Sequence, residues 1–347
     1  MAYKPPAVPL KAGGVPSIIP PGVGPIDPLN IRSKLMLETA SHMMTDWDWP
    51  YREATIDLKS QGDELGEFRL FGANHPSSIQ QVFERKVDIS ILNPSGILSM
   101  AHRGLGLYTE PMQVALIAVM PHYDQLGFAV TTKTGLTSLD DIREKRYPLR
   151  LSVRGSLDAC TSQMVELVLR AHGFSYDDII SWGGSISYDQ PMPPQTPPGH
   201  LSRMARVAQG ELDAIFEEGV MIWAGGVPDI GMRLLSIDDA RLAELVRLGF
   251  KPGKIEKVRY KQLEQDVQTI DFSGWPIFTR IDAPGLLIRK FCEAMEARKD
   301  SIPWNWGPVK QTDLPLARMV VDSPETPVDI PFHPVAEEFW REAGYIK

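Results

Sequence analysis

The sequence predicts an α/β protein folded as two lobes with a ligand cleft between them. Strand-like apolar runs alternate with helix-period stretches along most of the chain, joined by short Gly, Ser and Pro turns. The chain has 347 residues, whereas single hydrophobic cores stop growing at ~250–300 residues. Residues 149–178, LRLSVRGSLDACTSQMVELVLRAHGFSYDD, place a strand, a small-residue turn and a helix in immediate succession.

Leu149, Leu151 and Val153 in that stretch alternate with Arg150 and Ser152, the period of a half-buried strand. The chain turns at Arg154-Gly155-Ser156, and Ser156 is read as a helix N-cap with Asp158 adding negative charge to the first turn. Cys160, Met164, Leu167, Val168 and Ala171 then form one apolar stripe, and Gly173 ends the helix. A helix start aims free N–H groups at whatever lies above the turn, and Arg154 supplies a planar, permanently charged fork suited to a carboxylate. An ordinary strand–helix unit with a surface arginine has the same local pattern.

In chain order, the Pro-rich arm 1–14 precedes a short strand at Val15–Ile19, a stiff loop PPGVGPIDP and a helix from about Asn30 to Met44. Asp46–Tyr51 is an aromatic cluster, read as lobe packing more readily than as a stacking surface. Strands are expected at Ala54–Leu58 and Phe68–Phe71, followed by a turn carrying His75 and a helix from about Ser77 to Glu84. Val87–Leu92 reads as a buried strand that delivers Asn93-Pro94-Ser95-Gly96 to the next helix. In open α/β sheets ligands bind beyond the carboxyl ends of the strands, so the His75, Asn93 and Arg154 turns are expected to share one crevice. Asn93, Ser95 and Ser77 supply hydrogen-bonding groups for an oxygen-rich molecule.

Val114–Met120 and Phe128–Thr132, joined by PHYDQLG, suit the first crossing between lobes. Gly183–Gly199 contains five prolines and reads as a long loop, either a lid or an oligomer contact. Beyond Leu201–Val207, Gly210–Phe216 is a buried strand ending in Glu217-Glu218-Gly219, with Trp223 following; one of the two glutamates is expected at the crevice. The return crossing is expected near Arg233–Ile237, giving lobe 1 as 15–122 and 233–347 and lobe 2 as 123–232. Helices at Asp238–Leu248 and Ala283–Arg298 then pack back on lobe 1, and Ile302–Trp306 adds two more tryptophans.

The segment from GLTSLDDI to GFSYDDI resembles the opening of the second lobe in type II periplasmic-binding-protein folds, and within them the TAXI family of TRAP-transporter solute-binding proteins. FERKVDISILNPSG, the run Leu212–Phe216 and the tail HPVAEEFWREAG are similar to that family in the same order. The resemblance implies a bilobal fold that closes over a small carboxylate and, within the wider fold, also enzymes such as menaquinone-pathway dehydratases and dihydroxyphthalate decarboxylases. The sequence departs from the family at the first loop, which lacks its Gly/Thr/Tyr-rich character, and at His75, where the family carries a Gly/Ser loop.

Composition narrows the classes. A net charge of −8 argues against nucleic acid as the main partner, because phosphate contacts need a basic face. No uninterrupted apolar run approaches the ~18 residues of a membrane span. The first residues lack the apolar stretch of a signal sequence, so the chain reads as cytoplasmic, or as periplasmic if a leader has been removed. Cys160 and Cys292 have no metal spacing, no nucleotide-binding glycine pattern occurs, and neither a cofactor nor a metal is expected. A homo-oligomer formed through the N-terminal arm or the 183–199 loop is compatible with the pattern.

Two functional readings result. In the first, preferred on the N-terminus and on His75, the chain is a cofactor-independent lyase of aromatic-compound catabolism, a decarboxylase. There Arg154, Ser156, Asp158 and Trp223 hold the substrate, and His75 with Glu217 or Glu218 moves the proton. In the second, the chain is a TAXI-type solute-binding protein that captures a small carboxylate.

Overall fold

The computed structural model describes residues 31–44, 53–59, 66–189, 203–302 and 314–347. The expectations for the arm 1–14, the strand at 15–19, the cluster at 46–51, most of the 183–199 loop and the tryptophans near 304–306 lie outside these residues.

The chain opens with α1 (Ile31–Met43), then β1 (Ala54–Lys59) and β2 (Glu67–Gly72). Next come α2 (Ser77–Phe83), β3 (Ile89–Ile91), α3 (Ser95–Arg103) and β4 (Val114–Met120). All seven residues of β4, VALIAVM, are buried, so this strand has core on both faces. After β5 (Gln125–Thr131) and α4 (Leu139–Glu144) come β6 (Arg150–Arg154), α5 (Cys160–Ala171), α6 (Tyr176–Ser181) and β7 (Ser185–Asp189). They are followed by α7 (Arg203–Ala208), β8 (Ala214–Glu217), α8 (Val220–Trp223) and β9 (Met232–Leu234). The chain continues through α9 (Asp239–Arg247), β10 (Pro252–Ile255), β11 (Val267–Asp271) and β12 (Trp275–Arg280). It closes with α10 (Gly285–Arg298), α11 (Leu316–Met319) and α12 (Pro334–Glu342). Several helix starts follow directly from sequence: Ser138 and Asp238 accept from backbone N–H groups of the first turn, and Ser175 with Asp178 forms a reciprocal capping box.

Two sheets organise these elements. The first has strand order β1-β2-β3-β12-β4; the second runs β10-β11-β5-β8-β6-β7, with β9 also pairing β5. In the first, β2 and β3 are parallel, while β12 lies antiparallel between β3 and β4. In the second, β7, β6 and β8 are parallel, and β5 lies antiparallel between β8 and the β9/β11 edge. Each lobe therefore receives one antiparallel strand from the connection that enters it. That exchange makes the protein a two-lobed α/β chain of the type II periplasmic-binding-protein fold.

The crossings are residues 121–124 and 272–274. The second differs from expectation: the segment near Arg233 is β9, which pairs with β5 inside lobe 2, and β10 and β11 extend the same sheet before the chain returns at β12. Lobe 2 thus runs to about residue 271. The first part of the expected 183–199 loop is β7, held by parallel pairing with β6. Residues Ile117, Ile277, Leu287, Ile288 and Trp340 belong to the core beneath α10 and α12 in lobe 1. In lobe 2, α5 packs on Phe128 and Phe216 while Trp223 and Ile215 form the core of the opposite face. Cys160 and Cys292 are buried free thiols.

Candidate functional site

The lobes meet where the carboxyl ends of β2 and β3 face those of β6 and β8. From lobe 1, Asn74 accepts the backbone N–H of Cys160 through its carbonyl at 3.0 Å, while its side-chain oxygen accepts from the Asn93 N–H at 3.3 Å. From lobe 2, Arg154 ends β6 and Glu218 follows β8 directly. The Arg154 guanidinium donates through one nitrogen to the Glu218 carboxylate, whose other oxygen accepts from Thr161 Oγ1 at 2.7 Å. Glu218 is fully buried; Arg154 keeps 30% of its side chain accessible, and among the described residues no other acceptor meets its fork.

Behind this pair lies the first crossing. Asp124 is fully buried and accepts from the N–H groups of Gly219 at 2.7 Å, Val220 at 3.2 Å and Gln125 at 2.8 Å. Three such donors favour a carboxylate, but burial first and the neighbouring Glu218 second push Asp124 up to about 8. His122, whose Nε2 lies 3.8 Å from Asp124, is pushed down to about 3, by burial and then by Arg154. At neutral pH the seam thus holds one ion pair, Arg154–Glu218, beside a mostly protonated aspartic acid and a neutral imidazole. The Cys160 thiol is raised far above its usual range by burial and by Glu218, so it is a packing group and not a nucleophile.

The residues expected in the crevice separate into three places. Arg154 and Asn93 lie at the seam, and Asn93 Oδ1 is buried without a hydrogen-bond partner among the described residues. Ser95 is taken up by the return crossing: its N–H donates to Ser273 and Gly274 carbonyls, and its hydroxyl to the Pro327 carbonyl at 3.1 Å. His75, Asp158, Ser156 and Ser77 occupy the rim. His75 Nε2 is 2.5 Å from Glu53, and its Nδ1 is 3.2 Å from the Asp158 carbonyl and 3.4 Å from its carboxylate. Because α5 begins at Cys160, Ser156 does not cap it; its hydroxyl donates instead to Asp158 at 2.6 Å. Ser77 is exposed on α2, and the adjacent Ser78 is the buried hydroxyl.

Two expectations are corrected. Glu217 turns to the α7 face of the sheet, where it pairs with the buried Arg203; Glu218, one residue on, is the glutamate at the seam. Trp223 is a core residue of lobe 2, packed over Gly127 with its indole N–H donated to the Glu218 carbonyl at 2.9 Å, so it offers no ring to a ligand. Sequence reasoning missed Asp124, His122, Thr161 and Asn74. The one available signal was the His and Asp inside PHYDQLG, polar residues in a link that must be buried to cross between lobes.

A cavity of about 690 Å³ lies elsewhere, beside the hinge, lined by Tyr123, Gln125, Lys251, Gly253 and Pro327 among others. Its polar walls are already engaged: Gln125 with Asp271 at 3.0 Å and with the Lys254 N–H at 2.8 Å, and Lys251 with Asp329 across the lobes at 2.9 Å. The seam at Arg154 keeps unspent hydrogen-bonding capacity, and that distinguishes it as the candidate site.

No protein-family model and no curated protein matches the chain. Among solved structures, it is similar to the alkanesulfonate-binding protein SsuA from Xanthomonas axonopodis pv. citri bound to MOPS. The identity is 14%, over 66% of this chain and 60% of that one, with a TM-score of 0.31. It is also similar to PhnD1 from Prochlorococcus marinus in complex with methylphosphonate, at 14% identity over 79% and 85% of the two chains and a TM-score of 0.35. An ancestral cyclohexadienyl dehydratase matches at 11% identity over 65% and 68%, with a TM-score of 0.23. At these values the likeness adds nothing to the strand order, which defines the fold by itself.

Proposed function

We propose that the protein is a solute-binding protein whose two lobes close over a small carboxylate held by Arg154. The observation that carries this reading is the guanidinium at the interlobe seam, held through one nitrogen by the buried Glu218 while the Arg154 side chain stays partly accessible and no other acceptor among the described residues meets its fork. A planar fork so held matches a carboxylate without further ordering of its own side chain. The unpaired acceptor Asn93 Oδ1, on the opposite lobe, suits a solute that also carries a donor group. Within this class, the TAXI type serving a TRAP transporter is the finer reading supported by the sequence resemblance, and it places the protein outside the cytoplasmic membrane. The decarboxylase expectation has less support, because Glu217 is engaged with Arg203 and His75 is engaged at the rim, so the residues expected to move the proton do not converge on Arg154.

Thermal stabilisation by a panel of aliphatic and aromatic carboxylates, with mass spectrometry of the same samples, tests the proposal. Stabilisation by a carboxylate that is recovered unchanged is the expected result. Loss of the mass of CO2 from any member of the panel would overturn it.

A further inference from the structure

The charges at the seam are already balanced in the absence of solute. Both Glu218 oxygens are engaged, one by Arg154 and one by Thr161, and the carboxylate is fully buried. The neighbouring cations leave no net positive charge: Arg203 stands close enough to Glu218 to attract it but is paired with Glu217, and Arg206 is paired with Asp189 at 2.9 Å. The other groups that face the pair are the His122 imidazole and the Asp124 carboxyl on the first crossing and the Cys160 thiol on α5; Tyr260 stands near Asp124. None of these is a cation at neutral pH. A carboxylate placed on the open side of Arg154 would therefore bring a second anion to a guanidinium already matched by Glu218, in a seam that closure removes from water. Buried groups in that position change protonation state before they accept an uncompensated charge.

Resting on the binding function proposed above, we infer that a carboxylate enters this site together with one proton, held between Glu218 and the bound solute beside an Asp124 that already carries its own. Solute capture is then proton-linked. Its affinity declines as pH rises, by about ten-fold per pH unit where the proton must be taken from solution. A solute that brings its own positive charge, such as an amino acid zwitterion, escapes this dependence.

The experiment is isothermal titration of the full chain with acetate, pyruvate, benzoate, phthalate and glutamate, in phosphate and in Tris at the same pH. The difference in heat between the two buffers gives the number of protons exchanged. Uptake close to one proton is expected for acetate, pyruvate, benzoate and phthalate, and less for glutamate, which brings its own ammonium. Glu218→Gln, which keeps an acceptor for Arg154 but no charge, should bind the same carboxylate at least ten-fold more tightly at about pH 8 and with no proton uptake. Binding by the unsubstituted protein with no proton exchange overturns the inference and leaves the binding function standing. Weaker binding by Glu218→Gln in a variant of unchanged thermal stability overturns it as well. If none of the five probes binds, the binding function falls, and this inference with it.

Discussion

Arg154 and Glu218 meet at the carboxyl ends of the adjacent parallel strands β6 and β8, and the glutamate is wholly buried while the arginine is partly open. Each residue serves the other: Glu218 sets the direction of the guanidinium, and the guanidinium makes a buried glutamate tolerable. Arg154→Ala should therefore act on two quantities. Carboxylate affinity should fall by about 1.5–3 kcal/mol, the worth of a hydrogen bond to a charged group. Stability should fall by about 1–3 kcal/mol, below the ~3–5 kcal/mol typical of breaking a fully buried pair, because 30% of the Arg154 side chain reaches water. Calorimetric affinity and denaturant unfolding measure the two effects. Adding Glu218→Gln should restore the stability but not the affinity, and a double variant as unstable as the single one would remove Glu218 as Arg154's partner.

Asp124 makes folding itself pH-dependent. Its carboxyl is raised to about 8 in the folded chain from an ordinary value of 3.8. The folded state therefore holds a proton that the unfolded state releases between those values. The contribution is complete below the unfolded value and is lost as pH rises through the folded one. Asp124→Asn cannot ionise, and its single oxygen can still accept from Val220 and Gln125, which share one oxygen of the natural carboxyl, at the cost of the Gly219 bond to the other. Across about pH 4–8, this variant should lose a decline in stability of roughly 1.4 kcal/mol per pH unit that the natural residue imposes. Urea midpoints at several pH values would show it, and parallel pH profiles for the two proteins would rule out a protonated Asp124.

At the rim, His75 joins Glu53 of its own lobe to Asp158 of the other. Asp158 is 77% exposed in its side chain, so the contact is a weak clasp in high dielectric and not a strut. His75→Ala should speed solute release by about 1.4- to five-fold, corresponding to the ~0.2–1 kcal/mol of an exposed pair, without changing the solute's chemistry. Stopped-flow displacement measures the release rate. A loss far beyond this range would return His75 to direct contact with the solute.

Much of the fold was legible where local pattern and tertiary role agree. Val114–Met120 is an apolar run that forms a strand with the bounds its composition indicates, because burial on both faces demands such a run. The return crossing was misplaced because β9, β10 and β11 carry the same local signals whether they extend lobe 2 or re-enter lobe 1; only pairing partners distinguish them. The start of α5 was placed three residues early, since Ser156 has the chemistry of an N-cap but sits in a turn made by Gly155, whose φ is +86°, and the N-cap is Ala159. Glu217 and Glu218 could not be told apart from sequence because all four β8 residues are buried, leaving no alternation to show which side chain faces the seam. Arg154 and Asn93 were accessible to reasoning from strand ends, whereas Asp124 acquires its role only from a crossing that brings it to Gly219.

The two crossings are locked together at Gly274, whose N–H donates to the His122 carbonyl at 2.7 Å and whose carbonyl accepts from the Ser95 N–H at 2.9 Å. Its φ is +76°, and a Cβ there would lie 2.6 Å from Pro327 Cδ, 3.0 Å from Val119 Cγ1 and 3.3 Å from Ser95 Cβ. Gly274→Ala therefore meets two separate penalties, a left-handed backbone and a packed hinge, and should destabilise by about 2–4 kcal/mol. Gly135 separates them: it has φ +64° but nothing within 4 Å of an added Cβ. Gly135→Ala should cost only the backbone share, about 1–2 kcal/mol. The difference between the two variants in urea unfolding measures how tightly the crossings are packed. Because Gly274 holds the segments about which the lobes would move, its alanine variant should also lose solute affinity, while the Gly135 variant keeps it. Equal effects of the two substitutions on both stability and affinity would mean that the hinge yields to an added methyl and does not set the geometry of closure.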